Sequence, residues 1–293
     1  MRSNASSLFH GEWQKITGNR MVALFMIWIF PIAAAFGAVL MCVLALASRE
    51  GNTLFRSGPL VAELWSQLLS EVWNLPSSWL GRMLLIGFAA FVFAGEYQWH
   101  TWKNILPRSR RIALLLTKFI VVDALVILAF LSASAILALG MGLASGLVGG
   151  IQTSIPRDLL ASFAANSALR AIVTLVSTTI TAGYAALAGM YTRSILGGVL
   201  IGFGATGGEQ LSLLALGQVA TLLKDFGILK LYRFTPTYNL TNAISWINDG
   251  TPTTMLFGLA ADSLSFSLAV LVGWALVLGA MTVFLFQRQD IAT

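Results

Sequence analysis

The chain is poor in charge, in cysteine and in histidine, and each shortage removes a class of function. Only 10% of its 293 residues are Asp, Glu, Lys or Arg, whereas a soluble domain carries about 25%. That leaves too few polar side chains to coat a globule. The single cysteine, Cys42, lies in an apolar run, which excludes a disulfide framework and a thiolate metal site. His10 and His100 are far apart, and neither sits in the His, Cys or carboxylate spacing of a metal site. No GxxxxGK[ST] phosphate loop occurs, so the chain does not bind ATP by that device. HExxH and GxSxG are missing as well. No metal, cofactor or catalytic residue is expected on this chain. Its net charge of +6 and pI of about 9.8 would suit nucleic acid. The charge gathers beside apolar runs, however, so no nucleic-acid partner is expected.

What is present is mostly apolar: 57% of residues are hydrophobic and the mean hydropathy is +0.80. This composition predicts an all-α integral membrane protein, residues 1–293 forming one transmembrane domain. A helix needs about 20 apolar residues to cross a hydrocarbon core about 30 Å thick. Six stretches qualify or nearly do: 21–48, 79–97, 112–147, 171–192, 194–223 and 263–287. Residues 1–20 are too polar to cross. Phe9, Trp13 and Ile16 share one helical face, with Glu12, Lys15 and Arg20 pointing elsewhere, which predicts an amphipathic interfacial helix. The polar start and the long first run do not fit a cleavable signal peptide, so the first span is expected to remain as an anchor.

Local signals refine these spans. Pro31 should kink the first. Val61–Val72 suits a short amphipathic surface helix. Arg82 would snorkel outward from the second span. Leu159–Leu169 suits a surface helix separate from a span starting at Ala171. Gly207-Gly208 ahead of Glu209 predicts a break in the fifth span, as a re-entrant or surface helical hairpin. Short outer helices are expected between spans five and six, near Pro236 and Pro252.

Lys103, Arg108, Arg110, Arg111 and Lys118 crowd the connection between spans two and three, answered by the single acid Glu96. Lys and Arg near span ends set orientation. The six-span reading gathers the positive excess on the side that holds this loop and both termini, while the opposite segments balance. That places both termini in the cytoplasm. Trp99 and Trp102 are three apart, and Tyr97, Thr101 and Ile105 recur every four, which predicts a short helix within 98–111. A basic, tryptophan-bearing loop of this kind suits docking of a cytoplasmic partner, although its basic residues could instead set topology or touch anionic lipid.

Inside the spans, polar chemistry is sparse. Asp123 and Glu209 are the two acids there. An intramembrane charge is a candidate functional group by default. The plainer expectation is that Asp123 pairs with basic residues near the inner interface and that Glu209 marks an outer bend.

The run Gly95-Glu96-Tyr97, Trp99, Thr101-Trp102-Lys103, Leu106, Ser109-Arg110 and Lys118 resembles the permease subunits of type-2 ABC transporters. The ending Phe286-Gln287-Arg288-Gln289-Asp290-Ile291 resembles that family's closing motif, with Gln289 at a commonly basic position. The resemblance implies an exporter permease of the bacterial plasma (inner) membrane. It would pair as a homodimer or heterodimer and bind two cytoplasmic ATPase subunits carrying ATP and Mg. Residues 98–111 would be the coupling helix and Phe9–Arg20 the elbow helix. Coupling would fall to Glu96, Trp99, Thr101, Trp102, Lys103, Arg108, Arg110 and Arg111. Two other readings compete: an ion-gradient-driven transporter or channel, for which Asp123 and Glu209 are a thin supply of ionisable groups, and a membrane scaffold or sensor docking a cytoplasmic partner.

Overall fold

The computed structural model describes residues 5–47, 53, 55–56, 58–99, 111–150, 157–253 and 262–289. Among them there is no strand. The helices are α1 (Ala5–Gly18), α2 (Ile29–Ala47), α3 (Gly58–Asn74), α4 (Trp79–Gln98), α5 (Arg111–Leu147), α6 (Arg157–Thr192), α7 (Ile195–Leu223), α8 (Pro236–Asp249) and α9 (Leu264–Arg288). A three-residue helical segment, Arg20–Val22, and a π-helical stretch, Ala23–Trp28, lead into α2, and a 3-10 segment, Phe226–Phe234, precedes α8. Among the described residues, six helices are long and apolar enough to cross a membrane: α2, α4, α5, α6 from Phe163, α7 and α9. In hydrocarbon every backbone N–H and C=O must find its partner within the protein, and helices do this without outside help.

The chain forms two compact units. The first contains Met1–Gly18, Pro76–Asp123 and Val173–Thr293; the second contains Asn19–Leu75 and Ala124–Ile172. In the second unit the aromatics pair: Phe30 with Phe130 at 4.6 Å and Trp65 with Phe163 at 4.7 Å between ring centroids. Ala45, Phe55, Met141 and Ala144 make a small core beside Cys42. Gly140 lets the Ala38 side chain approach its backbone. In the first unit α7 packs on α4. Gly202 is the point of closest approach, where a Cβ would lie 2.8 Å from Ile86 Cγ2.

Pro31 lies three residues past the π-helical stretch, within a helical run that continues from Arg20 to Ala47. Both a π stretch and a proline are places where a helix bends. Three other local expectations are corrected. The Leu159–Leu169 segment is not a separate surface helix, because α6 runs unbroken from Arg157. Arg170, which suggested a boundary, is satisfied within its unit by the Ser70 carbonyl at 3.1 Å and Asn74 Oδ1 at 2.9 Å. Arg82 does not snorkel but is 2% exposed. Finally, α7 continues through Gly207, Gly208 and Glu209 with no break or hairpin. Each glycine costs a helix about 1 kcal/mol against alanine, which is too little to break it here.

Candidate functional site

Two buried charge clusters lie in the first unit, one near each end of α4. Arg82 and Glu96 are separated by 14 positions, or roughly 21 Å along a helix.

At the C-terminal end of α4, Lys118 of α5 is 1% exposed and its Nζ lies 2.6 Å from Glu12 Oε2 and 2.9 Å from Glu96 Oε1. It also donates to the Val92 carbonyl at 3.4 Å. Lys15 of α1 pairs with the same Glu96. Two acids and two bases therefore alternate in one closed group that ties α1 to α4 and α5. Glu12 shares the inward side of α1 with Ile16, one turn on, so it does not point away from that face as the sequence suggested. Phe9 and Trp13 stack at 5.7 Å and stay half-buried. Lys15 keeps 37% of its side chain exposed, yet partial burial, reinforced by the nearby Lys118 charge, lowers its amine to about 8.

The helix ends beside this cluster are also secured. Arg111 opens α5 and donates to the carbonyls of Phe286, Gln287 and Gln289 at 3.2, 3.2 and 3.0 Å. These carbonyls lie at the C-terminal end of α9, so a cation there complements the helix dipole. Gln289 accepts from the Tyr97 hydroxyl and donates to the Met190 carbonyl at 2.8 Å, which fastens α9 to α4 and α6. Trp99 folds back over Gly95, where any Cβ would lie 2.6 Å from the indole, and meets Phe91 edge-on at 5.0 Å. Its ring remains 48% exposed.

At the N-terminal end of α4, Arg82 meets Glu209 of α7 through both terminal nitrogens, at 2.8 and 3.1 Å. Its Nη1 also reaches Thr237 of α8 at 3.2 Å and its Nε reaches Thr181 of α6 at 3.3 Å. Thr237 donates to Glu209 at 2.8 Å. Four helices thus meet on one bidentate pair, the strongest geometry available to arginine and carboxylate. Glu209 is an interior counter-ion and not the mark of a bend. Next to it, Arg233 pairs with Asp262 and lies over the Phe266 ring at 4.6 Å. Burial and the Asp262 carboxylate push the Tyr238 phenol up to about 12.

Of the residues singled out from the sequence, the structure brings Glu96 into the first cluster and sets Trp99 and Arg111 at its border. Thr101, Trp102, Lys103, Arg108 and Arg110 lie outside the described residues. Among the described residues Asp123 pairs with no base: its Oδ2 is 2.9 Å from the Thr179 hydroxyl. The sequence reading missed Glu12, Lys15 and Lys118 as one group, and Arg82 as the partner of Glu209. The available signal was the occurrence of opposite charges at matching ends of neighbouring apolar runs. Among the described residues, no group of three His, Cys, Asp or Glu side chains could hold a metal ion.

Among the described residues, six helices long and apolar enough to cross a membrane mark the chain as a helical, multi-pass membrane protein. No protein-family model matches the chain, and neither does any curated protein.

Proposed function

We propose that this chain is the permease subunit of an ATP-driven ABC exporter, forming the translocation path and taking its drive from a separate cytoplasmic ATPase. The observation that carries the reading is the mounting of the basic, tryptophan-bearing segment between Trp99 and Arg111. One flank ends on α4, where Glu96 joins the buried Glu12–Lys15–Lys118 group. The other flank starts with Arg111, clamped to the last carbonyls of α9. A force applied to such a loop would reach α1, α4, α5 and α9 together and would not be lost in a flexible tether. That is what a coupling element needs, and with no phosphate loop in the sequence hydrolysis would fall to a partner. Two copies of the permease and two ATPase subunits would complete the machine, with ATP and Mg held by the ATPases.

The test is affinity purification from native membranes followed by ATPase assay. A co-purifying nucleotide-hydrolysing subunit is expected. In that complex Trp102→Ala and Arg110→Glu should insert normally but hydrolyse ATP without export. If both variants export as well as wild type, the coupling role is wrong. If a partner without nucleotide chemistry co-purifies instead, the chain is a docking scaffold.

A further inference from the structure

Asp123 lies in the membrane-spanning part of α5 and takes no part in either charge cluster. Among the described residues no ion pair includes it. On its own helix and on α6, Arg111, Lys118, Arg170 and Tyr184 each have contacts away from it, and Tyr191 is exposed. Arg111 holds carbonyls of α9, Lys118 holds Glu12 and Glu96, and Arg170 holds Ser70 and Asn74. Tyr184 lies against the Trp274 ring. What Asp123 does have is Thr179 of α6, with 2.9 Å between Oδ2 and Oγ1. Its other oxygen, Oδ1, is closed off and has no hydrogen-bond partner among the described residues.

The Thr179 hydroxyl carries one proton. Its oxygen is 2.9 Å from Asp123 Oδ2 and also 2.9 Å from the Leu175 carbonyl oxygen. The carbonyl can only accept. If Asp123 is a carboxylate it too can only accept, and then one proton must serve two acceptors while Oδ1 holds half a negative charge with no donor. Both short contacts become ordinary hydrogen bonds at once if the carboxyl supplies a proton of its own. Oδ2–H then donates to Thr179 Oγ1, Thr179 donates to Leu175, and Oδ1 becomes the carbonyl oxygen of a neutral acid. Burying an acid costs far less than burying an unpaired carboxylate.

We infer that Asp123 is a proton-binding site within the membrane-spanning part of α5, its proton held on the chain Asp123 Oδ2–H to Thr179 Oγ1–H to Leu175 O. The ligand is a proton, and the site stands whether or not the chain is an ABC permease.

The experiment is infrared spectroscopy of the full chain in lipid bilayers, with aspartate carbon-13 labelled at the carboxyl. An isotope-shifted acid carbonyl band is expected in wild type at neutral pH and should vanish in Asp123→Asn. Should that variant fail to accumulate, Thr179→Val makes the assignment while leaving the acid in place. The same band should move to higher frequency as its O–H loses the hydroxyl acceptor. A wild-type spectrum without the acid band, or with one that neither variant alters, overturns the inference.

Discussion

Arg82 is buried and Glu209 nearly so, which makes each depend on the other. The idealised attraction of a buried pair is largely cancelled by the cost of drying both charges, which makes the pair more a demand than a gain. Removing one partner should therefore be far worse than removing both. Glu209→Gln or Arg82→Met alone should cost about 3–5 kcal/mol, and the double variant Arg82→Met/Glu209→Met much less than the sum. Thermal unfolding in detergent micelles checks this, and additive losses would mean that the two side chains are not coupled. Lys15 makes the second prediction at this scale. Its amine titrates at about 8 in the fold against 10.5 ordinarily. Below 8 both folded and unfolded chains carry the charge, and the fold bears the cost of its partial burial. Between 8 and 10.5 the unfolded chain binds more protons, so stability should rise with pH through that window. The rise should be missing in Lys15→Met, measured as the difference in Tm between the two proteins at each pH.

Helix α7 shows how one element can hold glycines of opposite meaning. A side chain at Gly202 would run into Ile86, whereas a Cβ at Gly207 would meet nothing within 4 Å. Gly202→Ala should destabilise by about 1–3 kcal/mol through overpacking, while Gly207→Ala should stabilise by up to about 1 kcal/mol through helix propensity. Opposite shifts in Tm are the expected result, and shifts of the same sign would refute the packing assignment. The same element marks the limit of reading from sequence. Uncharged runs such as Met21–Ser48 and Ser263–Gln287 announce membrane-crossing helices because lipid leaves the backbone no other choice. Glycine pairs and lone charges announce breaks only when nothing distant compensates them. Arg170 and Glu209 both looked like boundaries, and both are interior because Asn74 and Arg82, about 100 residues away or more, satisfy them. The same holds for the candidate site. Glu96 and Lys118 were visible as residues of the basic segment, but their enclosure by Glu12 of α1 depends on a contact 106 residues apart in sequence.

For the molecule as a whole, the distribution of Lys and Arg makes a directional statement that accessibility can test. In a Cys42→Ser background, Gln98→Cys should react with a membrane-impermeant thiol reagent only from the cytoplasmic side, and Lys224→Cys only from the opposite side. Both positions are exposed, so reaction from the same face for both would overturn the six-span reading. One connection within that path has a bearing on how the protein is made. Only Arg193 and Ser194 separate α6 from α7, with Arg193 in the left-handed region at φ 53° and Ser194 capping the next helix through the Gly197 amide. Two residues give no slack for one helix to settle while the next is still being synthesised. The expectation for biogenesis is that α6 and α7 enter the bilayer as a pair, and that lengthening this corner with flexible residues lets them be released one at a time.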